Sequence, residues 1–351
     1  MKKFILGIET SCDDTSLCIL QSENQQTKIL AHLSYSQDEM LKKWGGVVPE
    51  IAARNHLEKI TPILKEVFST AKIKLKDINL IGVTTSPGLL GPLLTGVNAA
   101  KTLSMLSTCP ITPINHLHAH LEAIHLTNNL AYPYLGLLVS GGHTLYIIVE
   151  DQYSFKIIGG TTDDAAGEAF DKAGKLLNIG YPAGKLIDDL AKKGNKNKFA
   201  FPIAMKNSKD SNLSFSGVKT SLKQFLDKHY SNKPIPKDEL QDICASYQKA
   251  IIDALILKSK FALTTAQELT NKQDIPIVLG GGVACNSYLR SELKIKFKNV
   301  FCVEPKFCTD NGAMIANMAL RTIEQQVNFP ECLNLDATST NINKKQFRPK
   351  K

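Results

Sequence analysis

The sequence predicts an α/β fold in two lobes. Two hairpins with small polar tips, near residues 4–20 and 135–149, each open one half of the chain, and strand-like runs alternate with helix-like ones between and after them. A length of 351 residues is also more than one compact core requires.

Phe4 to Ile8 is an apolar run that reads as a buried strand, Glu9 to Thr15 is a polar turn, and Ser16 to Leu20 is the returning strand. Pro49 opens a helix whose apolar positions Leu57, Ile60, Leu64, Val67 and Phe68 follow helical spacing. Ile78 to Thr84 is strand-like and runs into Thr85-Ser86-Pro87-Gly88-Leu89-Leu90-Gly91-Pro92, a glycine- and proline-punctuated loop before a helix around Thr95 to Leu106. Leu135 to Val139 and Leu145 to Val149 are strands joined by the tight turn Ser140-Gly141-Gly142-His143-Thr144. Ala165 to Leu177 and Leu240 to Leu269 read as helices. Ile275 to Leu279 is a buried strand entering Gly280-Gly281-Gly282-Val283-Ala284-Cys285-Asn286, with a helix from about Ser287. From Asn328 the chain turns polar, so a loosely held tail is expected.

Composition excludes several classes. At 43% hydrophobic and 21% charged the chain is neither fibrous nor wholly disordered. No apolar run approaches the roughly 18 to 20 residues that span a bilayer, and the apolar start after Lys2-Lys3 stops at Glu9, short of a signal-peptide core. A cytoplasmic location is therefore expected, with no membrane partner. The cysteines at 12, 18, 109, 244, 285, 302, 308 and 332 form no CxxC and no regular framework, which fits reduced thiols. Net charge is +9, but its placement is more telling: residues 185–237 carry +8, the tail after Asn343 adds five basic residues, and the remainder is net acidic. Such a stripe is either the footprint of a polyanion site or a solvated lysine-rich face.

Three of the eight histidines fall within Asn115-His116-Leu117-His118-Ala119-His120. On a helix His116 and His120 stand one turn apart on one face, the separation that lets two imidazoles share a metal, while His118 points elsewhere. Two histidines leave an ion under-coordinated, and Asp310, in the loop-forming run Thr309-Asp310-Asn311-Gly312, is the candidate carboxylate. Such a set suits iron(II) or zinc with open positions; the alternative is a pair of hydrogen-bonded structural histidines. A zincin peptidase is excluded, because Leu117 stands where the glutamate of His-Glu-x-x-His is needed. The turns Ser140-Gly141-Gly142 and Gly280-Gly281-Gly282 offer bare backbone to an anion, although glycine turns after strands are common. Neither GxxxxGK[ST] nor a GxGxxG after a strand occurs, which disfavours P-loop and dinucleotide folds. Asp171, on a helix with apolar neighbours, is either a ribose-binding carboxylate or an exposed charge paired with Lys172 or Lys175.

Taken together, Leu6 to Ser16, Gly45 to Glu50, Ser86 to Leu89, His116 to His120, Val139 to Thr144, Gly167 to Lys172, Ser214 to Thr220, Gly280 to Asn286 and Cys308 to Gly312 resemble, in order, the motifs of the TsaD family, the tRNA adenosine threonylcarbamoyltransferases, formerly called Gcp. The resemblance implies an actin/hexokinase-like (ASKHA) fold with a central cleft, divided as an N-terminal lobe at 1–125, a second lobe at 126–300 with a basic insertion at 185–237, a return to the first lobe at 301–328 and a tail at 329–351. It implies His116, His120 and Asp310 as ligands of one divalent metal, iron or else zinc. It implies Leu138, Val139, Ser140, Gly141, Gly142, Asp171, Gly184 and Asn286 as contacts of threonylcarbamoyl-AMP. The family transfers the threonylcarbamoyl group from this adenylate to N6 of the adenosine 3′ of the anticodon, position 37, in tRNAs reading ANN codons, and works with TsaB-like and TsaE-like proteins. The chain departs from the family at Ala183, where a glycine is usual. The residues do not identify the general base; Asp13 and His143 are candidates by polarity and location only.

Two other readings compete. A small-molecule kinase of the same superfamily gives no role to His116, His120 and Asp310, and a non-catalytic RNA-binding scaffold needs only the basic segment.

Overall fold

The computed structural model describes residues 2–24, 26–41, 44, 46–231 and 233–340; Gly45 and the basic tail after residue 343 lie outside the described residues. In chain order the elements are β1 (Lys3–Glu9), β2 (Thr15–Glu23), β3 (Gln26–Tyr35), α1 (Asp38–Leu41), α2 (Pro49–Ala71), β4 (Leu80–Ser86), α3 (Leu90–Ser107), β5 (Ile111–Asn115) and α4 (His116–Glu122). There follow β6 (Tyr134–Val139), β7 (Thr144–Val149), β8 (Phe155–Thr161), α5 (Ala166–Leu176), α6 (Gly184–Ala191), β9 (Asn212–Leu213), α7 (Ser216–Tyr230) and α8 (Lys237–Thr270). The chain ends with β10 (Ile277–Gly280), α9 (Ser287–Lys296), β11 (Val300–Cys302) and α10 (Gly312–Arg321), with short 3₁₀ turns between.

Two compact units result: Met1–Leu130 with Asp151–Ser154 and Lys306–Lys351, and Ala131–Glu150 with Phe155–Pro305. Their sheets repeat one topology. The first runs β3-β2-β1-β4-β5 and the second β11-β10-β6-β7-β8-β9, so each starts from an antiparallel meander and continues with parallel strands on the other side of the meander's first strand. The hairpin duplication seen in the sequence is the visible part of this repeat.

In the first unit Leu6 and Ile8 of β1 point to a core shared with Ile60, Ile63 and Val67 of α2 and Val97 and Leu103 of α3. The opposite face of the sheet presents Gly7 and Gly82 to the backbone and alanines of α10, which packs against the strands there. α2 begins at Pro49, whose missing N–H costs a first-turn residue nothing, and stops at Lys72 in the left-handed region. Leu57, read from sequence as part of its apolar face, is instead 64% exposed; the buried stripe runs through Ala52, His56, Ile60, Ile63 and Val67. The stretch after Asn328 is not loosely held as far as residue 340: Cys332 is fully buried, Leu333, Leu335 and Ala337 pack on the core, and Val327 pairs with Ile111.

In the second unit the long helix α8 lies against the sheet through Ile243, Tyr247, Ile251 and Leu255. Tyr146 donates from its hydroxyl to the carbonyl of Leu255 at 2.7 Å, and Tyr247 donates to the carbonyl of Ala169 at 3.0 Å, so two buried phenols tie α8 to β7 and α5. The strand β3 and the helices α6 and α7 go beyond what the sequence predicts; β3 is an edge strand exposed at its start and packed on the core through Ala31, Leu33 and Tyr35, and the helices lie in the lysine-rich segment.

Candidate functional site

The helix α4 that carries the histidines starts immediately after β5. Asn115 caps it, its Oδ1 accepting from His118 N at 3.1 Å, and this fixes where the first turn begins. His116 and His120 then face the same way, with ring centroids 4.5 Å apart. The carboxylate comes from the start of α10, where Asn311 caps the helix by accepting from Met314 N at 2.9 Å and its amide donates to the carbonyls of Phe307 and Thr309. Asp310 sits just ahead of that cap. Its Oδ1 lies 3.0 Å from His120 Nε2 and 3.5 Å from His116 Nε2. One donor atom from each of the three residues lies within 4.8 Å of the others, although 190 residues separate His120 from Asp310. The sequence expectation that these residues converge holds.

The set fits a divalent metal. Bonds of about 2.0–2.2 Å to a tetrahedral or octahedral ion place neighbouring ligand atoms roughly 3.0–3.5 Å apart, the separations seen between Asp310 Oδ1 and the two Nε2 atoms. Both histidines are buried, so a cation here would be desolvated on the protein side. Burial alone would lower the His116 pKa, yet Asp310 and Glu9 raise it to about 9. Two carboxylates around buried imidazoles make a place for positive charge.

Behind His116 stands a group that sequence reading missed. Glu9, at the end of β1, is fully buried; Oε1 accepts from Ser11 N at 2.6 Å, while Oε2 accepts from Thr84 Oγ1 at 2.6 Å and lies 3.1 Å from His116 Nδ1. Ser11 Oγ also reaches His116 Nδ1, at 3.1 Å. Burial would raise the Glu9 pKa, but His116 beside it brings the net shift below the ordinary value. The signal was present in the Glu-Thr-Ser run after an apolar strand, but nothing in the chain tied it to a histidine more than 100 residues away.

The second unit carries the glycine turns. They leave the ends of adjacent parallel strands, since β6 and β10 pair with Gly280 opposite Leu138. Ser140 N donates to the carbonyl of His143 at 2.7 Å and closes the first turn. Gly141 and Gly142 are exposed, and a Cβ on either would meet nothing within 4 Å. Leu138 and Val139 are fully buried in the sheet, so neither presents a side chain to a ligand. The start of α5 is pinned beneath this turn: Ala166 N donates to Thr144 Oγ1 at 2.9 Å and Gly167 N to the carbonyl of Ser140 at 3.2 Å, an approach a Cβ on Gly167 would obstruct. Gly281 has φ of +90°, a conformation that favours glycine, and lies against the backbone of Val139.

Asp171, one turn further along α5, is neither fully exposed nor simply a surface charge. Its Oδ1 accepts from Ala183 N at 2.8 Å and so holds the start of α6, which places Gly184 beside it. Lys172 instead pairs with Asp164 and Glu168. Asn286 caps α9 through Oδ1, at 2.9 Å from Leu289 N, and its Nδ2 donates to Gln248 at 2.7 Å, so part of its hydrogen-bonding capacity holds the fold. A cavity of about 360 Å³ opens beside it, lined among others by Asp188, Gln248, Ser287 and Tyr288. Asp188, buried and accepting from the hydroxyl and backbone N of Ser287, is a second residue the sequence reading overlooked. Asp13 and His143 occupy corresponding hairpin tips, β1–β2 in one unit and β6–β7 in the other, and both are half buried.

The basic segment divides. Lys192 pairs with Asp188 and Asp189, Lys196 with Glu292, Lys198 with Asp242, and Lys219 with Asp164, whereas Lys193, Lys206, Lys209, Lys223 and Lys228 are exposed. No described helix is long and apolar enough to cross a membrane, and all eight cysteines are unbridged.

A solved structure of full-length HypF in its phosphate- and nucleotide-bound form shares the fold with a TM-score of 0.57 at 14% identity; the match covers 92% of this chain and 46% of that one. The tRNA N6-adenosine threonylcarbamoyltransferase of Thermosipho melanesiensis is 44% identical over 317 residues, 89% of this chain and 92% of the relative. The protein of the same name from Brachyspira hyodysenteriae is 42% identical across 99% of this chain and 98% of its own. Residues 28–317 match the family model described as TsaD, tRNA N6-adenosine threonylcarbamoyltransferase, and with relatives this similar along nearly the whole length, the chain belongs to that family.

Proposed function

We propose that this chain transfers a threonylcarbamoyl group from threonylcarbamoyl-AMP to N6 of adenosine 37 in tRNAs reading ANN codons, with AMP as the leaving group. The observation that carries this reading is the convergence of His116, His120 and Asp310 within one unit of a TsaD-family chain. A kinase of the same superfamily gives that trio nothing to do.

His116, His120 and Asp310 would hold one divalent ion, iron in preference to zinc, and such an ion supplies Lewis-acid polarisation of a bound carbonyl. The chain's own residues do the rest. The bare backbone of Gly141 and Gly142 accommodates the adenylate phosphate, and α5, pinned by Ser140 and Thr144, presents Asp171 to ribose hydroxyls. Gly184 and Asn286 border the same ligand, the latter through the amide hydrogen not given to Gln248. Holding donor and amine in a reactive pose is the main contribution required, since an exocyclic adenine amine is a weak nucleophile. Asp13 and His143 are the candidates for taking its proton. The exposed lysines of the 185–237 segment face the tRNA backbone, and TsaB-like and TsaE-like proteins complete the system in the cytoplasm.

The test is direct. Protein, partner proteins, threonine, bicarbonate, ATP and unmodified tRNA are incubated, and the nucleosides are analysed by mass spectrometry. Threonylcarbamoyladenosine should appear with the parent protein and be lost in His120→Ala; its absence with the parent, or its undiminished formation by a metal-free variant, overturns the reading.

A further inference from the structure

The ligand trio explains which atoms would face an ion but not why His116 turns Nε2, rather than Nδ1, toward Asp310. An imidazole has two nitrogens, and only the one without a proton can ligate a metal. The answer lies on the other side of the ring. Glu9 is fully buried at the end of β1, in the strand at the centre of its sheet. Ser11 N can only donate, and it does so to Oε1 at 2.6 Å; Thr84 Oγ1 donates to Oε2 at 2.6 Å. A carboxylate clamped from both sides in this way cannot rotate, and the position left on Oε2 meets His116 Nδ1 at 3.1 Å; Ser11 Oγ lies at the same distance from that nitrogen, but the buried carboxylate is the stronger acceptor.

We propose that Glu9 is a positioning residue of the metal centre: held by Ser11 and Thr84, it accepts the Nδ1–H of His116 and thereby commits Nε2 to the ion. The inference rests on the metal reading above and goes beyond it, because it assigns a task to a residue that touches neither the ion nor the substrates. It also assigns one to Thr84, on β4, whose hydroxyl keeps Oε2 in place from the neighbouring strand. Outer partners of this kind fix ring orientation and raise ligand basicity, and their loss commonly weakens metal affinity 10- to 100-fold.

Glu9→Gln keeps the size of the side chain but puts an amide N–H₂ where one of three donors must be met; Thr84→Val removes only the hydroxyl. Co(II) affinity is measured by chelator competition on each folded full-length variant, with circular dichroism to show the fold is retained. Glu9→Gln should weaken Co(II) binding about 10- to 100-fold and Thr84→Val by less. The second readout is the His116 Nδ1–H in ¹⁵N-histidine spectra of Zn(II)-loaded protein, which a merely structural residue would leave alone. It should be slow to exchange in the parent and fast in Glu9→Gln. Binding within twofold of the parent in a folded Glu9→Gln, or ligation through Nδ1 of His116 in the parent, overturns the role of Glu9 and leaves the metal centre standing. A parent protein that binds neither Co(II) nor Zn(II) overturns the metal reading itself.

Discussion

Removing the Asp163 carboxylate should loosen a specific piece of the second unit. Helix α7 has no side-chain cap of its own; Asp163, some fifty residues earlier, accepts instead from Phe215 N at 2.8 Å and from the hydroxyls of Ser214 and Ser216, the latter at 2.7 Å. An N-terminal cap is worth about 1 kcal/mol and a negative charge at a helix N-terminus about 0.3–1 kcal/mol, so Asp163→Ala should cost local stability of about 1.5 kcal/mol. That is close to a tenfold increase in opening, which hydrogen exchange of Phe215 and the first turn of α7 reads directly. The pH dependence has a definite sign. Burial alone would raise the Asp163 pKa, but its bonds from Ser214, Phe215 and Ser216 hold it below the usual value, so the group stabilises the fold above about pH 4 and loses that effect as pH falls through its depressed native value. Parent and variant should therefore differ about tenfold at pH 6 and converge as pH falls through that depressed native value. Equal exchange at pH 6, or a gap that persists at low pH while the unit stays folded, would refute the assignment of Asp163 as the cap of α7.

Asp171→Ala removes the anchor of α6 and, on the proposed reading, a ribose acceptor, so AMP binding measured by calorimetry should weaken by about 1–3 kcal/mol; Asp171→Asn, which can still accept from Ala183 N, should lose less. Gly281→Ala forces a side chain into a left-handed conformation against the Val139 backbone, and thermal unfolding of the variant should begin several degrees earlier than that of the parent. Reversing Lys193, Lys206, Lys209 and Lys223 to Glu should lower tRNA affinity and reduce the slope of log K against log salt by about 0.7–0.9 for each phosphate no longer neutralised, as filter binding across a salt series will show.

What the sequence revealed and what it hid follow from range. The two hairpins were legible because each is a local alternation of apolar strand and polar tip, and the histidine pair because two ligands one turn apart sit on one short helix. Asp310 could be proposed because a Thr-Asp-Asn-Gly run is itself a local signal. β3 was passed over although Ile29, Ala31, Leu33 and Tyr35 alternate along it and Ala31, Leu33 and Tyr35 pack on the core; its polar start, Gln26, Thr27 and Lys28, faces solvent and masks the strand. Glu9 and Asp188 were missed for a different reason. Each is an acidic residue whose meaning depends on a partner far away in the chain, His116 in one case and Ser287 in the other, and a lone carboxylate carries no mark of being buried. Leu57 shows the converse error: it fitted the helical period of α2, but periods are counted in one dimension and the buried stripe drifts around the helix past it.

Charge is where sequence and structure differ most in what they imply. Counting lysines gives the 185–237 segment +8 as though every one were available to a polyanion. The fold commits several of them. Lys219 and Lys172 converge on Asp164, joining α7 to α5, and Lys198 reaches Asp242 at the start of α8. Both partners in the Lys192–Asp189 pair are more than half exposed and that pair is weak, but Lys192 also reaches the buried Asp188 at 3.2 Å. Asp164 is only 15% exposed and holds two lysines at 2.7 and 2.9 Å, so those cations are not for exchange without separating two helices. The lysines most open to a polyanion are therefore Lys193 and the exposed ones on the 200–230 stretch, while the pairs on Asp164 serve the scaffold. A charge reversal aimed at Lys219 should unsettle α7 before it says anything about tRNA, whereas one aimed at the exposed Lys206 and Lys209 leaves the pairs on Asp164 intact and tests the proposed tRNA face.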